Sequence, residues 1–435
     1  MEYYSTNRSA RQVSLKEAVI KGLAPDKGLY MPQRIPQLPQ PFFRNIGQLS
    51  LQEIAYATAF PIFGDDIEPA TLKKIVYDSL NFEIPLVHVE GEINSLELFH
   101  GPTAAFKDVG ARFMARMLAH FCRQDSKEIV NVLVATSGDT GSAVANGFLG
   151  VEGVRVFVLY PKGKVSKIQE AQFTTLGQNI TALEVNGTFD DCQRLVKQAF
   201  LDTELNEAMR LSSANSINVA RFLPQMFYYF YAYAQLARDG KTDKDIVVAV
   251  PSGNFGNITA GLIAKRMGLP VKRFIAANNR NGIFLQYLNS GVYTPRPSIA
   301  TIANAMDVGD PSNFARVLDL YGNSHDAICA EISGCSYNDE QISETIADVY
   351  QRTGYLLDPH GATGYRALQE QLNDGERGVF VETAHPAKFK GVVEAVIGHE
   401  IGIPERLMKF MIRTKRTVPM TTGFSSFKRY LLSTI

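Results

Sequence analysis

The sequence predicts an α/β fold with two parallel-sheet lobes, preceded by a mainly helical N-terminal subdomain. From residue 129 onward, apolar strands alternate with amphipathic helices. Two glycine-rich loops each follow a predicted strand and open a predicted helix. At 435 residues the chain is longer than one core usually holds, so more than one domain is expected. Alternation of this kind is typical of parallel sheets covered by right-handed crossovers.

The N-terminal region carries helix-start signals. Ser14 and Ser50 are each followed three residues later by glutamate, the pattern of a capping box, and a third helix is expected to begin at Pro69. The prolines between residues 32 and 41 favour an extended connector. We therefore expect residues 1–90 to form a mainly helical subdomain.

The remaining elements follow from apolar runs and helical periodicity. The expected strands are Ile129 to Ala135, Val154 to Leu159, Ile180 to Val185, Ile246 to Val250, Val271 to Ala277 and Gly378 to Glu382. Intervening helices are expected at Ser166 to Leu176, Phe189 to Leu201 and Val219 to Ala237, with others beginning at Ala143 and Ile258. These elements predict a large α/β domain of residues 91–128 and 187–400, a small lobe of residues 129–186, and a basic, solvated tail of residues 401–435.

Composition limits the classes of partner. Lysine plus arginine and aspartate plus glutamate number 44 each, so no net field favours nucleic acid or an anionic membrane. The longest uncharged run, Ile246 to Ala264, is interrupted by proline and glycines and is not expected to span a membrane. The N-terminus lacks the apolar core of a signal peptide, which favours the cytoplasm. The cysteines and histidines show no metal-ligand spacing, so no metal is expected and the partners should be small molecules.

Lys107 is the first residue that suggests chemistry. It lies between the Gly101-Pro102 turn and a helical apolar pattern that begins at Phe106. A cation in the first turn is disfavoured by the helix dipole by about 0.3–1 kcal/mol, and the neighbouring phenylalanine adds a desolvation cost. Both effects lower the predicted pKa of Lys107, which would allow it to attack a carbonyl. From this stretch alone, a surface lysine that merely starts a helix is the alternative.

The two glycine-rich loops are predicted anion sites. Ser137 to Gly141 and Ser252 to Asn257 each join a strand to a helix, where main-chain N–H groups can hold a phosphate or carboxylate. Tight turns without a ligand are the alternative for either loop. Neither matches a P-loop or a dinucleotide fingerprint. Pyridoxal phosphate would use both features, because its phosphate needs a cradle and its aldehyde needs a reactive lysine.

The motifs together resemble the threonine synthase family of fold type II (tryptophan synthase β-like) pyridoxal-phosphate enzymes. The resemblance covers nearly the whole chain and is specific because the motifs occur in a shared order. They are Gly28 to Tyr30, Glu97 to Asp108, Ala135 to Gly141, Leu159 to Lys164, Ser213 to Asn218, Pro251 to Gly256, Asn304 to Asp307 and Thr383 to Phe389.

The resemblance implies roles for the cofactor residues. Lys107 would hold pyridoxal 5'-phosphate as a Schiff base, and the hydroxyl of Thr383 would face its pyridine nitrogen. The cofactor phosphate would be cradled by Gly253, Asn254, Phe255, Gly256 and Asn257.

It also implies a substrate and a reaction. Thr103, Ser137 and Thr140 would bind the amino acid carboxylate, and Asp139 stands where related enzymes carry an asparagine. Further substrate contacts are assigned to Lys164, Asn218 and Arg221. The implied reaction converts O-phospho-L-homoserine and water to L-threonine and phosphate by γ-elimination and β-addition of water, in a monomer or weak homodimer. A serine/threonine dehydratase of the same fold and a catalytically silent phosphometabolite-binding protein are the alternatives.

Overall fold

The fold is that of a computed structural model, which describes residues 1–124 and 129–435. The chain forms two compact units. Unit 1 contains residues 31–106 and 222–402 together with Met1, and unit 2 contains residues 2–30, 107–221 and 403–435. The boundary between Phe106 and Lys107 thus falls inside the stretch that the sequence marks as chemically important.

Strands and helices alternate along most of the chain. The strands are β1 (Glu2–Ser5), β2 (Val13–Ser14), β3 (Tyr30–Pro32), β4 (Leu86–Glu90), β5 (Ile93–Glu97), β6 (Val130–Ala135), β7 (Val154–Pro161), β8 (Ile180–Val185), β9 (Arg210–Ser213), β10 (Asp245–Pro251), β11 (Arg273–Asn278), β12 (Ile332–Ser336), β13 (Glu376–Glu382) and β14 (Val418–Met420). The helices are α1 (Leu15–Lys21), α2 (Gln40–Asn45), α3 (Leu51–Phe63), α4 (Pro69–Ser79), α5 (Lys107–Gln124), α6 (Asp139–Phe148), α7 (Lys167–Thr174), α8 (Phe189–Leu201), α9 (Thr203–Ala208), α10 (Val219–Phe222), α11 (Met226–Arg238), α12 (Gly256–Arg266), α13 (Ile283–Ser290), α14 (Phe314–Leu320), α15 (His325–Glu331), α16 (Asp339–Thr353), α17 (Pro359–Gln371), α18 (Lys390–Ile397), α19 (Glu405–Met411) and α20 (Phe424–Leu432).

Unit 2 is built on a five-stranded parallel sheet in the order β14-β8-β7-β6-β9. Every residue of β6 is buried, and all of them except Asn131 are apolar. Leu133 on β6 pairs with Phe157 on β7, and both belong to a core that extends to Phe427 of α20. The predicted parallel sheet is therefore present in this unit.

Unit 1 contains a six-stranded sheet in the order β12-β11-β10-β13-β5-β4. Its strands pair in parallel except for β4, which runs antiparallel to β5 at the edge. Strands β10 and β13 lie side by side, with Val247 opposite Gly378, so their carboxyl ends meet at one edge of the sheet. The loop that follows β10 and the residues that follow β13 therefore begin close together.

The N-terminal region contains the three predicted helices, α1, α3 and α4, together with short strands. Ser50 forms the complete capping box with Glu53 at the start of α3. However, β1 and β2 form an antiparallel pair in front of α1. Helix α2 begins within the proline-rich connector, because a proline in the first turn of a helix removes no hydrogen bond that the helix needs.

The two units divide the chain at positions other than the predicted domain boundaries. Residues 2–30 belong to unit 2, where α1 contacts β9 and α5. Residues 187–221 also belong to unit 2, because β9 completes its sheet. The C-terminal residues 403–435 are not only a solvated tail, since β14 pairs in parallel with β8 and Leu431 of α20 is buried in the same core. Long-range strand pairing of this kind leaves no local signal in the sequence.

The long uncharged run of residues 246–264 forms most of β10 and α12, separated by a loop. Within the described parts of the chain, we find no helix with the length and apolar character needed to traverse a bilayer.

Candidate active site

Lys107 begins α5 in unit 2, which confirms its predicted place in the first turn of a helix. The side chain is half-buried. Its main-chain oxygen accepts a hydrogen bond of 2.9 Å from Nη1 of Arg221, whose Nε donates to the oxygen of Ala214 at 2.8 Å. Arg221 is 3% exposed, and its burial lowers its pKa to about 10. The buried guanidinium therefore holds the start of α5, and with it the main chain of Lys107, to the segment before α10.

The close packing of α5 depends on Gly110. A Cβ atom on this glycine would lie 2.3 Å from the main-chain oxygen of Arg221. That distance is far below van der Waals contact, so no larger residue fits without moving the helix. Lys107 thus lies in a helical turn whose position is fixed by backbone packing as well as by hydrogen bonds.

The glycine-rich loop of unit 2 is shaped by Thr136, at the end of β6. Its hydroxyl oxygen accepts hydrogen bonds from the N–H groups of Gly138 at 2.9 Å and Gly141 at 2.8 Å. Gly138 has φ 145°, a conformation that favours glycine. Gly138, the N-cap residue of α6, makes no side-chain capping bond, so the Thr136 hydroxyl is the acceptor for the N–H group of Gly141 in the first turn of the helix. The buried hydroxyl of Thr136 therefore holds the loop in its conformation. The sequence did not predict this role.

The loop presents the side chains that were predicted to contact the substrate. Asp139 is buried, with 4% exposure, while Ser137 and Thr140 are half-buried. Oδ1 of Asp139 accepts a hydrogen bond of 2.9 Å from Nε2 of Gln169, which is 1% exposed. Sequence reasoning missed Gln169, because a glutamine in an amphipathic helix carries no signal that its amide points inward. The carboxylate of Asp139 is thus oriented by an amide donor.

The other predicted substrate residues of unit 2 lie in different surroundings. Lys164 is exposed in the turn after β7. Asn218 is fully buried, and its amide donates to the main-chain oxygens of Val19 at 2.8 Å and Ser213 at 3.1 Å. Asn218 and Arg221 therefore both hold main chain in place, and their predicted substrate contacts stay a prediction.

The glycine-rich loop of unit 1 ends at the start of α12, where the N-cap residue Phe255 makes no side-chain capping bond. Phe255 has the left-handed conformation, with φ 62°. Asn257, the second residue of the helix, donates its amide to the oxygen of Pro251 at 2.8 Å and accepts at Oδ1 from the N–H group of Ile258 at 2.8 Å. An anion at this loop would therefore meet the N–H groups that precede Ile258 and the positive end of the helix dipole.

Gly253 shows that this loop fits a phosphate cradle. A Cβ atom on Gly253 would lie 2.8 Å from the main-chain oxygen of Ala305 and 2.9 Å from Cα of Met306. On another side, Oδ1 of Asn254 accepts a 2.6 Å hydrogen bond from the N–H group of Ser312. The loop thus packs against main chain at Gly253, where only glycine fits, and is held at Asn254 by a side-chain hydrogen bond, an arrangement that fits a nest for the phosphate of pyridoxal phosphate. Among the residues that the structure describes, no group of three or more acidic, histidine or cysteine side chains could hold a metal ion.

Thr383 and Thr103 lie in unit 1 on segments that are bound to each other. The main-chain oxygen of Thr383 accepts a hydrogen bond of 2.8 Å from the N–H group of Phe106. The oxygen of Thr103 accepts one of 2.8 Å from Nζ of Lys388, which is 1% exposed. Lys388 was not assigned a role from the sequence, although it lies in one of the motifs that carry the resemblance. The residues just before Lys107 are therefore clamped to the end of β13.

The chain matches three protein families. Residues 93–384 match the family described as pyridoxal-phosphate dependent enzyme. Residues 2–80 match the threonine synthase N terminus, and residues 361–430 match the threonine synthase C-terminal family. These matches extend from one end of the chain almost to the other.

Relatives and solved structures agree with these families. The chain is 45% identical to a threonine synthase of Haemophilus influenzae, over 99% of this chain and 100% of the relative. It superposes on the crystal structure of threonine synthase from Escherichia coli with a TM-score of 0.93 and 42% identity, covering all of both chains. A structure of threonine synthase from Brucella melitensis with pyridoxal phosphate bound gives a TM-score of 0.93 at 37% identity, covering 100% of this chain and 99% of that one.

Proposed function

Because this chain belongs to the threonine synthase family of pyridoxal-phosphate-dependent lyases, we propose that it converts O-phospho-L-homoserine and water to L-threonine and phosphate. The observation that carries the proposal is the pairing of end-to-end similarity with an open anion cradle in unit 1 that fits the cofactor phosphate. The cofactor is pyridoxal 5'-phosphate.

Lys107 is the proposed catalytic residue. When bound, pyridoxal phosphate supplies an electron sink that makes the protons next to the substrate's amino group acidic. The amine of Lys107 anchors the cofactor before the reaction and then acts as the base that takes the proton from the α-carbon of the substrate. Arg221 supports this role by fixing the main chain of Lys107, which keeps the amine within reach of one carbon atom.

The loop of unit 1 binds the cofactor in this proposal. The N–H groups of residues 253–257 would donate to its phosphate, and the start of α12 would add the favourable end of the helix dipole. The hydroxyl of Thr383 would hydrogen-bond the pyridine nitrogen. A neutral hydroxyl at this place, rather than a carboxylate, leaves the ring nitrogen without a formal counter-charge.

The loop of unit 2 binds the amino acid. Ser137 and Thr140 donate hydroxyl hydrogen bonds to the substrate carboxylate, together with Thr103 of unit 1. Asp139, held by Gln169, is an acceptor and so suits a donor group of the cofactor or the substrate amine. Lys164 is exposed, so its side chain can stay paired with the phosphate group of the substrate while that group leaves as inorganic phosphate.

The product distribution separates this function from its alternatives. The protein loaded with cofactor is incubated with O-phospho-L-homoserine or with L-serine, and threonine, phosphate and oxo acid are measured. Threonine and phosphate formed in equal amounts, with serine a poor substrate, is the expected result. Equal turnover of serine would favour a dehydratase, and no turnover of either substrate would favour a silent binding protein.

We also propose a cytoplasmic protein that is a monomer or weak homodimer. All four cysteines lie among the described residues and form no disulfide, which supports a reducing compartment such as the cytoplasm. Sedimentation velocity over a range of concentrations tests the second part, since a stable tetramer would contradict it.

A further inference from the structure

A buried aspartate and histidine lie at the start of α17 in unit 1, away from both glycine-rich loops in the sequence. Asp358 is 0% exposed and His360 is 2% exposed. Nδ1 of the imidazole lies 2.5 Å from Oδ1 of Asp358, which also accepts from the N–H group of His360 at 2.7 Å. Burying an aspartate and an imidazole is costly unless both are fully hydrogen-bonded, so the other partners of this pair are informative.

The second ring nitrogen of His360 has a defined partner. The N–H group of Ala305 donates to Nε2 at 3.1 Å. Because a main-chain N–H can only donate, Nε2 must carry its lone pair, and the proton of the neutral ring must then be on Nδ1, facing Asp358. The aspartate thus sets the tautomer that lets His360 accept a hydrogen bond from the 3-10 turn of Asn304–Met306.

That same turn forms the wall behind the phosphate loop. Gly253 approaches it so closely that a Cβ atom would lie 2.8 Å from the oxygen of Ala305 and 2.9 Å from Cα of Met306. A backbone that touches backbone has no side chain to absorb a displacement, so a shift of the turn by a few tenths of an ångström must move the loop. The hydrogen bond to His360 links this turn to α17.

The pair is linked to the strand that presents Thr383 as well. The N–H group of Asp358 donates to Oε1 of Glu382 at 2.7 Å, and Glu382 is the last residue of β13. Its burial, together with the nearby carboxylates of Asp358 and Glu97, raises the pKa of Glu382 well above its usual value. Burial thus favours the protonated form of Glu382, which adds no second negative charge beside Asp358.

We propose that Asp358 and His360 are positioning residues for the cofactor phosphate, acting through Ala305 on the loop at Gly253. Neither side chain needs to touch the cofactor. The aspartate fixes the imidazole, the imidazole holds the turn, and the turn sets the spacing of the N–H groups that receive the phosphate. This inference rests on the proposed role of residues 253–257 and predicts an effect that is specific for the phosphate group.

The test compares the binding of pyridoxal phosphate with that of pyridoxal, which has the same ring and aldehyde but no phosphate. In His360→Asn the short amide can still reach Asp358 but not Ala305, whereas in His360→Gln the longer amide can place its oxygen near the position of Nε2. We expect His360→Asn to weaken pyridoxal phosphate binding about tenfold while pyridoxal binding changes less than about twofold. We expect His360→Gln to recover most of the lost affinity.

Tyr365→Phe is the matched control for general destabilisation of α17. Tyr365 is buried on the same helix, and its hydroxyl donates to Glu90 at 2.7 Å rather than to the turn behind Gly253. This variant should lower the unfolding midpoint without changing the ratio of the two affinities. If His360→Asn does not fold, Ala305→Pro removes the donor of the same hydrogen bond, and proline is compatible with the first turn of a 3-10 helix.

Three outcomes would overturn the proposal. They are equal losses for both ligands in His360→Asn, unchanged affinity for both, and a His360→Gln variant as impaired as His360→Asn. A wild-type protein that binds neither ligand would instead contradict the proposed function, and this inference with it.

Discussion

The loop after β6 in unit 2 and the loop after β10 in unit 1 occupy the same place in their sheets, since each leaves a buried parallel strand and begins a helix. They are held in different ways. The loop of unit 2 is organised from within by the hydroxyl of Thr136, whereas the loop of unit 1 packs against the main chain of residues 305–306 and accepts hydrogen bonds from the N–H groups of Ser312 and Asn313.

This difference suggests that the two loops bind different ligands. A loop held by side chains can present hydroxyls and a carboxylate, which suits an amino acid substrate with several polar groups. A loop held by backbone contacts keeps its N–H groups at fixed spacing, which suits the one phosphate of a permanent cofactor. If so, substitutions in the two loops should impair different ligands.

Removing Lys107 should have the largest effect, because the proposed function gives its amine two roles. Lys107→Ala is expected to lose the yellow absorbance of bound cofactor and to lower turnover by about 10³-fold or more, since covalent attachment and the base are lost together. Absorbance spectra and initial rates measure this. Lys74→Ala, on a side chain that is 76% exposed in unit 1, is the control and should behave as wild type. Near-normal turnover in Lys107→Ala would contradict the assignment.

Gly253→Ala should come next and should impair the cofactor. The added methyl group must displace Ala305 or the loop itself, and overpacking of this kind costs about 1–3 kcal/mol, or about 5- to 150-fold in affinity. Titration of the apoprotein with pyridoxal phosphate measures the loss. Gly391→Ala is the control in the same unit, because a Cβ atom there meets nothing within 4 Å. Unchanged cofactor affinity in Gly253→Ala would mean that the loop can move freely.

Thr136→Val should have a smaller effect, and on the substrate. The isosteric change leaves the N–H groups of Gly138 and Gly141 without their acceptor, which costs about 1–3 kcal/mol of unfolding free energy. We expect a higher KM for the substrate and little change in cofactor affinity. Thr175→Val, which removes a half-buried hydroxyl that only donates to the oxygen of Ala171, should change stability by less than about 0.5 kcal/mol. If Thr136→Val lost as much cofactor affinity as Gly253→Ala, the proposed difference between the two loops would be contradicted.

The smallest expected effect is a pH dependence of the unfolding free energy that comes from Asp307, the residue after the turn behind the unit 1 loop. Burial raises the pKa of Asp307 to about 6, although hydrogen bonds from Thr301 and Asn279 favour its ionised form. Because the folded state then binds the proton more tightly than the unfolded state, with its ordinary value of 3.8, stability should fall as the pH rises from about 4 to about 6 and stay level above that.

Urea unfolding across this pH range measures the slope. Asp307→Asn should remove part of it, whereas Asp326→Asn, at a fully exposed site, should leave it unchanged. An identical slope in wild type and Asp307→Asn would contradict the raised pKa.

Much of the fold could be predicted from the sequence because buried parallel strands are continuous apolar runs. The strand expected at Ile129 to Ala135 is observed at Val130–Ala135, and that expected at Val271 to Ala277 is observed at Arg273–Asn278. The helix expected from Val219 to Ala237 is instead interrupted by a 3-10 turn at Leu223–Gln225, where Pro224 cannot continue the hydrogen-bond ladder.

The site was predictable only where the chain marks it locally. Glycine and proline identify the two loops and the turn before Lys107, because few other residues adopt those conformations. The supports could not be predicted. Gln169 reaches Asp139 across 30 residues, and His360 reaches Ala305 across 55, and no periodic pattern records contacts between positions so far apart.

Reduction of the protein with borohydride, followed by peptide mapping, tests the role of Lys107 most directly. Borohydride makes the bond between lysine and cofactor permanent, so the labelled residue can be identified. We predict that the yellow absorbance disappears and that the label is found on Lys107 alone. A colourless protein that takes up no pyridoxal phosphate, or a label on another lysine, would contradict this prediction.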